Sequence, residues 1–201
     1  VISFGNNKYN ETSHDNIEKV TLPRLVYKLK NENINHIFSG WEHNIIINNK
    51  GEIFSFGHNQ NYQCGLPNNT PNCIIKDPTN ISKLNDNIKA LSAACGNEHS
   101  LILSNEHIVF SFGNNEDGVL GINDNNIKSY KLNKVYFGIY TNKIEAISAG
   151  TLHNLALTSD GNVFSWGSSQ GGQLGFSEEF LINQVNKKNT YSISEPSLIE
   201  L

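Results

Sequence analysis

Ala146-Ile147-Ser148-Ala149-Gly150-Thr151-Leu152-His153-Asn154-Leu155-Ala156-Leu157, then the turn Thr158-Ser159-Asp160-Gly161, then Asn162-Val163-Phe164-Ser165-Trp166-Gly167, is the stretch that decides the fold. Its apolar runs are short, rich in aliphatic and aromatic residues, and bounded by Gly, Asn or Asp, which is how strands read. Asp160-Gly161 between two such runs is a hairpin signal, because glycine accepts the positive φ of a tight turn. Working outward, the same pattern recurs. Aromatic–glycine pairs stand at Phe4-Gly5, Phe56-Gly57, Phe112-Gly113 and Trp166-Gly167, with glycine steps of 52, 56 and 54. Gly40-Trp41-Glu42-His43, Gly96-Asn97-Glu98-His99 and Gly150-Thr151-Leu152-His153 keep the same rhythm, 56 and 54 apart. Two markers locked in phase define an internal repeat, and such a repeat sets the architecture.

Each unit follows one template. A Pro-bearing leading segment (Leu22-Pro23-Arg24-Leu25-Val26, Asp77-Pro78-Thr79-Asn80-Ile81, Glu195-Pro196-Ser197-Leu198-Ile199) opens it; the third unit offers Lys134-Val135-Tyr136-Phe137 instead. An apolar stretch to the glycine follows, then the histidine and an aliphatic run: Ile45-Ile46-Ile47, Leu101-Ile102-Leu103 or Leu155-Ala156-Leu157. A turn and the aromatic–glycine strand close it. The middle unit has Asn105-Glu106-His107 where a glycine turn is expected, which weakens its hairpin signal. The units span approximately 22–66, 77–121 and 131–175, with half-units at 1–7 and 195–201, in one domain over 1–201. The strands are apolar on both faces, which predicts sheets covered on both sides. Four short strands per ~54-residue unit, each sheet sandwiched by its neighbours, fits a β-propeller blade. The aromatic before each glycine is expected to wedge between blades, at a gain of roughly 1.5–3 kcal/mol per buried ring. Helix should be scarce, since no segment combines a sustained helical period with caps.

Composition narrows the function classes. The chain has 201 residues, 15 basic and 19 acidic, for a net charge of −4. No basic stripe is visible, so direct nucleic-acid binding is not expected. No run of 18 apolar residues suggests a membrane span. Cys64, Cys73 and Cys95 are odd in number and lack CxxC spacing, which reads as free thiols in a cytoplasmic or nuclear setting. The 32 asparagines cluster in connections, where Asn favours turns.

The stretch Ala146–Gly167, followed by Gly171-Gly172-Gln173-Leu174-Gly175, closely resembles the repeat of the regulator of chromosome condensation family. The other units depart in detail, with Ala94-Cys95-Gly96 and Gly118-Val119-Leu120-Gly121 in one and Tyr62-Gln63-Cys64-Gly65-Leu66 in another. The resemblance covers nearly the whole chain apart from inserts such as Lys8–Thr21 and Ser177–Ser194. It implies an all-β fold, a β-propeller of the regulator of chromosome condensation type. The family ring has seven blades; about 3.7 units fit this chain, so a partial propeller of three to four four-stranded antiparallel blades is expected, as a fragment of a longer ring.

The recurring residues read as construction. Gly40, Gly57, Gly96, Gly113, Gly150 and Gly167 serve turns and close approaches; Phe56, Phe112 and Trp166 serve blade packing. His43, His99 and His153 could suggest a metal trio, but residues one blade apart lie too far from each other for ~2 Å bonds, so each is expected to hydrogen-bond within its own blade. No metal and no cofactor are expected. Cys95 with His99 lacks a third group and reads as a small buried residue. Loops carry the partner surface: Leu66–Lys76, Asn123–Tyr130 and Phe176–Ser194, with Tyr130, Tyr136, Phe137 and Tyr140 as a local aromatic cluster suited to anchoring a protein partner, unless Val135–Tyr140 is the outer strand of its blade. A repeat without a catalytic constellation points to a non-enzymatic interaction scaffold. The alternative implied by the resemblance is guanine-nucleotide exchange on a Ran-type small GTPase, linked to chromatin.

Overall fold

The computed structural model describes residues 1–15, 17–69, 71–122, 126–138, 143–185 and 191–200. Strands β1 (Ile2–Asn6) and β2 (Lys19–Leu25) pair with each other. Three four-stranded sheets follow: β3 (Ile34–Ser39), β4 (His43–Asn48), β5 (Ile53–His58) and β6 (Ile74–Asn80); then β7 (Ala90–Cys95), β8 (His99–Ser104), β9 (Val109–Asn114) and β10 (Lys128–Lys134); then β11 (Ile144–Ala149), β12 (His153–Thr158), β13 (Val163–Ser168) and β14 (Ser192–Leu198). Every pairing is antiparallel between sequence neighbours. A single α-helix, α1 (Glu178–Val185), lies among the described residues. This is an all-β partial β-propeller. The Pro-bearing segments are outer strands of the sheets that precede them: Pro23, Pro78 and Pro196 sit on β2, β6 and β14, where a missing N–H is tolerated at an edge. The sheets are therefore offset by one strand from the repeat as the sequence displays it.

Consecutive sheets meet mainly through β3, β7 and β11, which places those strands at the inner edge. The glycines explain how close they come. A Cβ on Gly40 would fall 2.6 Å from the carbonyl oxygen of Gly96, and one on Gly96 2.8 Å from that of Gly150. The same Cβ would lie 2.3 Å from the imidazole of His43, or 2.0 Å from that of His99. The Gly-x-x-His spacing thus lets each ring fold back over its own turn. Gly57, Gly113 and Gly167 are constrained differently. Their φ values are +112, +114 and +106, and a Cβ would sit 2.4–2.6 Å from the carbonyl oxygens of Glu42, Glu98 and Leu152.

The aromatic wedge has a direction. Phe112 covers Gly65 in the preceding blade, and Trp166 covers Gly121 in the preceding blade. Phe56, Phe112 and Trp166 are 3%, 0% and 0% exposed, whereas Phe4 is 64% exposed because no described blade precedes it. Among the described residues the buried wedges are therefore Phe56, Phe112 and Trp166. Covering on both faces fails at the other end for the same reason. Ile45–Ile47 and Leu101–Leu103 are buried, but Leu157 is exposed on the last sheet.

Two local expectations also change. The 105–107 turn does form its hairpin: His107 takes φ +61, the position glycine fills elsewhere, and its Nδ1 lies 2.9 Å from the Ile144 carbonyl of the next blade. The outer strand of the middle sheet is Lys128–Lys134, so Val135–Phe137 lies beyond it and is not a strand.

Candidate partner-binding face

Antiparallel order sorts the connections between two faces. The turns β3–β4, β7–β8 and β11–β12 share one face with the long connections 7–18, 59–73, 115–127 and 169–191. The short hairpins and the blade-to-blade linkers occupy the other.

Two side chains per unit hold the long loops. Ser55, Ser111 and Ser165 donate from Oγ to the carbonyls of Cys64, Leu120 and Leu174, nine residues on, at 2.6, 2.6 and 2.7 Å. Asn7, Asn59 and Asn115 accept through Oδ1 from the N–H of Thr12, Cys64 and Leu120 at 2.9, 3.0 and 3.1 Å. Their Nδ2 groups donate onward to loop carbonyls, including Leu66 at 2.9 Å and Asn126 at 2.9 Å. These residues recur at the repeat period, a signal present in the sequence but hidden among many asparagines and serines.

The histidines bridge blades, which corrects the expectation of a bond within one blade. Nε2 of His43 lies 2.8 Å from Ser100 Oγ, and that hydroxyl donates to the Gln63 carbonyl at 2.9 Å. Since the hydroxyl proton is committed, His43 donates from Nε2. Nε2 of His99 likewise donates to Asn154 Oδ1 at 2.8 Å, while Asn154 Nδ2 and Trp166 Nε1 both donate to the Val119 carbonyl, at 2.8 and 2.9 Å. Burial pushes His43 down to about 3, helped by nearby His99 and His58. It pushes His99 down to about 4, against the bond to Asn154. Both are neutral links between sheets. His153 is half-buried on the last blade, its ring folded over Gly150. Among the described residues, no three His, Cys, Asp or Glu side chains gather as a metal site. Burial also pushes the Cys95 thiol up to about 12, although the residue keeps some exposed surface, and raises Cys64 well above the ordinary range. Neither forms a reactive thiolate near neutral pH.

The surface side chains differ from the sequence expectation. Tyr130 packs edge-on against Tyr62 of the preceding blade at 5.6 Å, with Lys128 5.0 Å above Tyr62. Phe137 turns inward onto Phe164 and Trp166, at 5.3 and 5.8 Å. Tyr136 is exposed, with Lys134 over its ring. β10 runs from the loop face at Lys128 to the opposite end at Lys134, so Tyr130 and Tyr136 belong to opposite faces. Tyr140 lies outside the described residues. The sequence reading left out Trp41 as an anchor. It is 71% exposed in the β3–β4 turn. Beside it, Glu42 Oε2 lies 2.9 Å from His58 Nδ1, Tyr9 stacks on His58 at 4.1 Å, and Lys8 sits 4.8 Å above Tyr9.

Sheets joined by aromatics and histidines that reach into neighbouring blades, with glycines at the close approaches, define a repeat propeller. The chain belongs to the regulator of chromosome condensation (RCC1) repeat family: that repeat matches residues 50–103 and 160–201, and in a second description 34–63, 91–119 and 144–173. The probable E3 ubiquitin-protein ligase HERC6 of Homo sapiens is 30% identical over 93% of this chain and 18% of its own length. The X-linked retinitis pigmentosa GTPase regulator of Homo sapiens is 30% identical over 87% of this chain and 16% of its own length. Among solved structures, Prp20p of Saccharomyces cerevisiae, studied for its binding to Gsp1p and histones, superposes with a TM-score of 0.78 at 22% identity, over all of this chain and 46% of Prp20p. The chain thus spans less than a fifth of either relative and under half of the matching structure. These relatives support a repeat scaffold or regulator. None of the described helices is long and apolar enough to cross a membrane.

Proposed function

We propose that the chain is a non-catalytic interaction scaffold that engages a protein partner through its long-loop face, in the cytoplasm or nucleus. The observation that carries this is the division of labour in each repeat. Ser, Asn, His, Gly and aromatic side chains are spent on fixing the loops and joining blades, while Trp41 is left exposed among the loops. Loops on a rigid support are where binding concentrates. The test is partner recovery with matched variants. Trp41→Ala should lower recovery, and Tyr136→Ala on the opposite face should leave it unchanged. Equal recovery with both would reject this face.

A second reading is guanine-nucleotide exchange on a Ran-type small GTPase, coupled to chromatin. It is favoured by the likeness to Prp20p, studied with Gsp1p and histones, and to a GTPase regulator. Such exchange needs no covalent chemistry from the propeller. Release of a labelled nucleotide from a Ran-type GTPase separates the readings: acceleration at substoichiometric protein establishes exchange, and an unchanged rate leaves the scaffold reading.

A further inference from the structure

The two faces differ in charge. On the long-loop face the described connections carry nine carboxylates and one lysine, Lys8; Lys19, Lys76 and Lys128 stand at or near the strand ends that border it, Lys76 paired with Asp15 at 3.2 Å, and the balance stays acidic. On the opposite face the described connections carry six lysines and five carboxylates, close to balance. The modest charge of the whole chain hides this partition, which appears only when connections are sorted by the end of the sheet they leave. An asymmetric field of this kind selects partners by sign and speeds their approach.

Trp41 adds a second, independent feature. This face already holds two lysines against aromatic rings, Lys8 on Tyr9 at 4.8 Å and Lys128 on Tyr62 at 5.0 Å. Indole is the strongest of the aromatic partners for a cation. Among the described residues no lysine or arginine lies over Trp41, although its ring is the most exposed aromatic on the face. Around it, loop 7–18 is tied to β4 just after the turn by Asn44 Nδ2, which donates to the Glu11 carbonyl at 2.8 Å, while the Glu11 carboxylate accepts from the Tyr9 N–H at 2.7 Å and Asn6 Nδ2 at 3.2 Å; Glu42 lies in the turn itself. Glu98 occupies the equivalent turn of the next blade and bonds Asn114 at 2.9 Å.

We propose that the long-loop face binds a lysine- or arginine-rich segment of a protein partner, with one cationic side chain over Trp41 and the neighbouring charges met by Glu11, Glu42 and Glu98. This rests on the scaffold reading and specifies its partner chemistry. The occupant is basic protein because the face would repel phosphate backbones and anionic membranes alike.

The test is fluorescence anisotropy with a labelled twelve-residue Lys/Arg-rich peptide, and with an acidic peptide and a single-stranded RNA as controls. The basic peptide should bind and should weaken about tenfold or more between 50 and 300 mM salt. Trp41→Ala should weaken it about fivefold to tenfold, Trp41→Phe less, and Glu11→Gln with Glu98→Gln should flatten the salt dependence. Tyr136→Ala should change nothing. Absence of basic-peptide binding, tighter binding of the RNA, or equal affinity of Trp41→Ala and the parent each overturns the proposal. If a protein partner is still lost with Trp41→Ala while the basic peptide never binds, the scaffold reading stands and this one falls.

Discussion

Acid should loosen the blades through His43 and His99. Both imidazoles are 1% exposed and donate from Nε2 across a blade interface. Their protonated forms are disfavoured in the folded state, with values near 3 and 4 against about 6.5 for a free imidazole. A group depressed on folding binds more protons when unfolded, so its stabilising effect is complete above pH 6.5 and is lost as pH falls toward the folded value. At pH 5 each histidine is about 1.5 units below the unfolded value, a loss of roughly 2 kcal/mol apiece. Together they should remove roughly 4 kcal/mol, an appreciable share of the stability of a domain this size. The assay is urea unfolding at pH 7.5 and 5.0, followed by the emission of buried Trp166. The paired variant His43→Gln with His99→Gln keeps a donor at each position but cannot titrate there. Its midpoint should fall much less between the two pH values than that of the parent. If parent and variant lose the same stability, the histidines are not the acid-sensitive links and the reasoning fails.

Trp166→Ala should destabilise by about 3–5 kcal/mol, because a fully buried indole is removed; Trp166→Phe should lose about 1 kcal/mol, since Asn154 still donates to the Val119 carbonyl that the indole shares, and thermal unfolding of the two variants checks the ratio. Gly113→Ala meets the Glu98 carbonyl at 2.5 Å with φ at +114 and should cost about 3 kcal/mol or more, whereas Gly161→Ala, at φ +89 with open space around it, should cost about 1–2 kcal/mol, both read from urea midpoints. Ser111→Ala removes the hydroxyl that holds the Leu120 carbonyl and should cost about 1–3 kcal/mol, with faster amide exchange in the 115–122 loop as its local signature. Trp41→Ala should stay within about 0.5 kcal/mol of the parent by calorimetry, because its ring is largely in solvent.

The repeat and its strands were legible because glycines and aromatics recur in phase, and the structure gives each a steric reason to recur. The sheet boundaries were not. A Pro-bearing strand between two units looks the same whether it closes one sheet or opens the next, and only its pairing with β5 or β13 decides. The histidines were legible as structural, but not the direction in which they reach, since a sequence shows no interface. Tyr130 and Tyr136 looked like one cluster because they are six residues apart. That spacing carries the chain from one end of β10 to the other, which divides them between faces. The exposure of Trp41 was hidden because it sits inside a structural motif, Gly40-Trp41-Glu42-His43, whose glycine and histidine are fixed by packing.

The polarity of the blade interface bears on function. Phe112 and Trp166 lean on the loop of the blade before them, and His43 and His99 reach to the blade after them. Gln63 and Val119, the carbonyls that end these relays, lie in the long loops 59–73 and 115–127. A loop is therefore held from within its blade by the Ser and Asn pins and from the next blade by the histidine relay. Weakening one interface should loosen the loop at its boundary, not the whole face, because repeat stability is a sum of neighbour terms. Core residues such as His43 and Ser100 thus help set the shape of the long-loop face from within the blade interface.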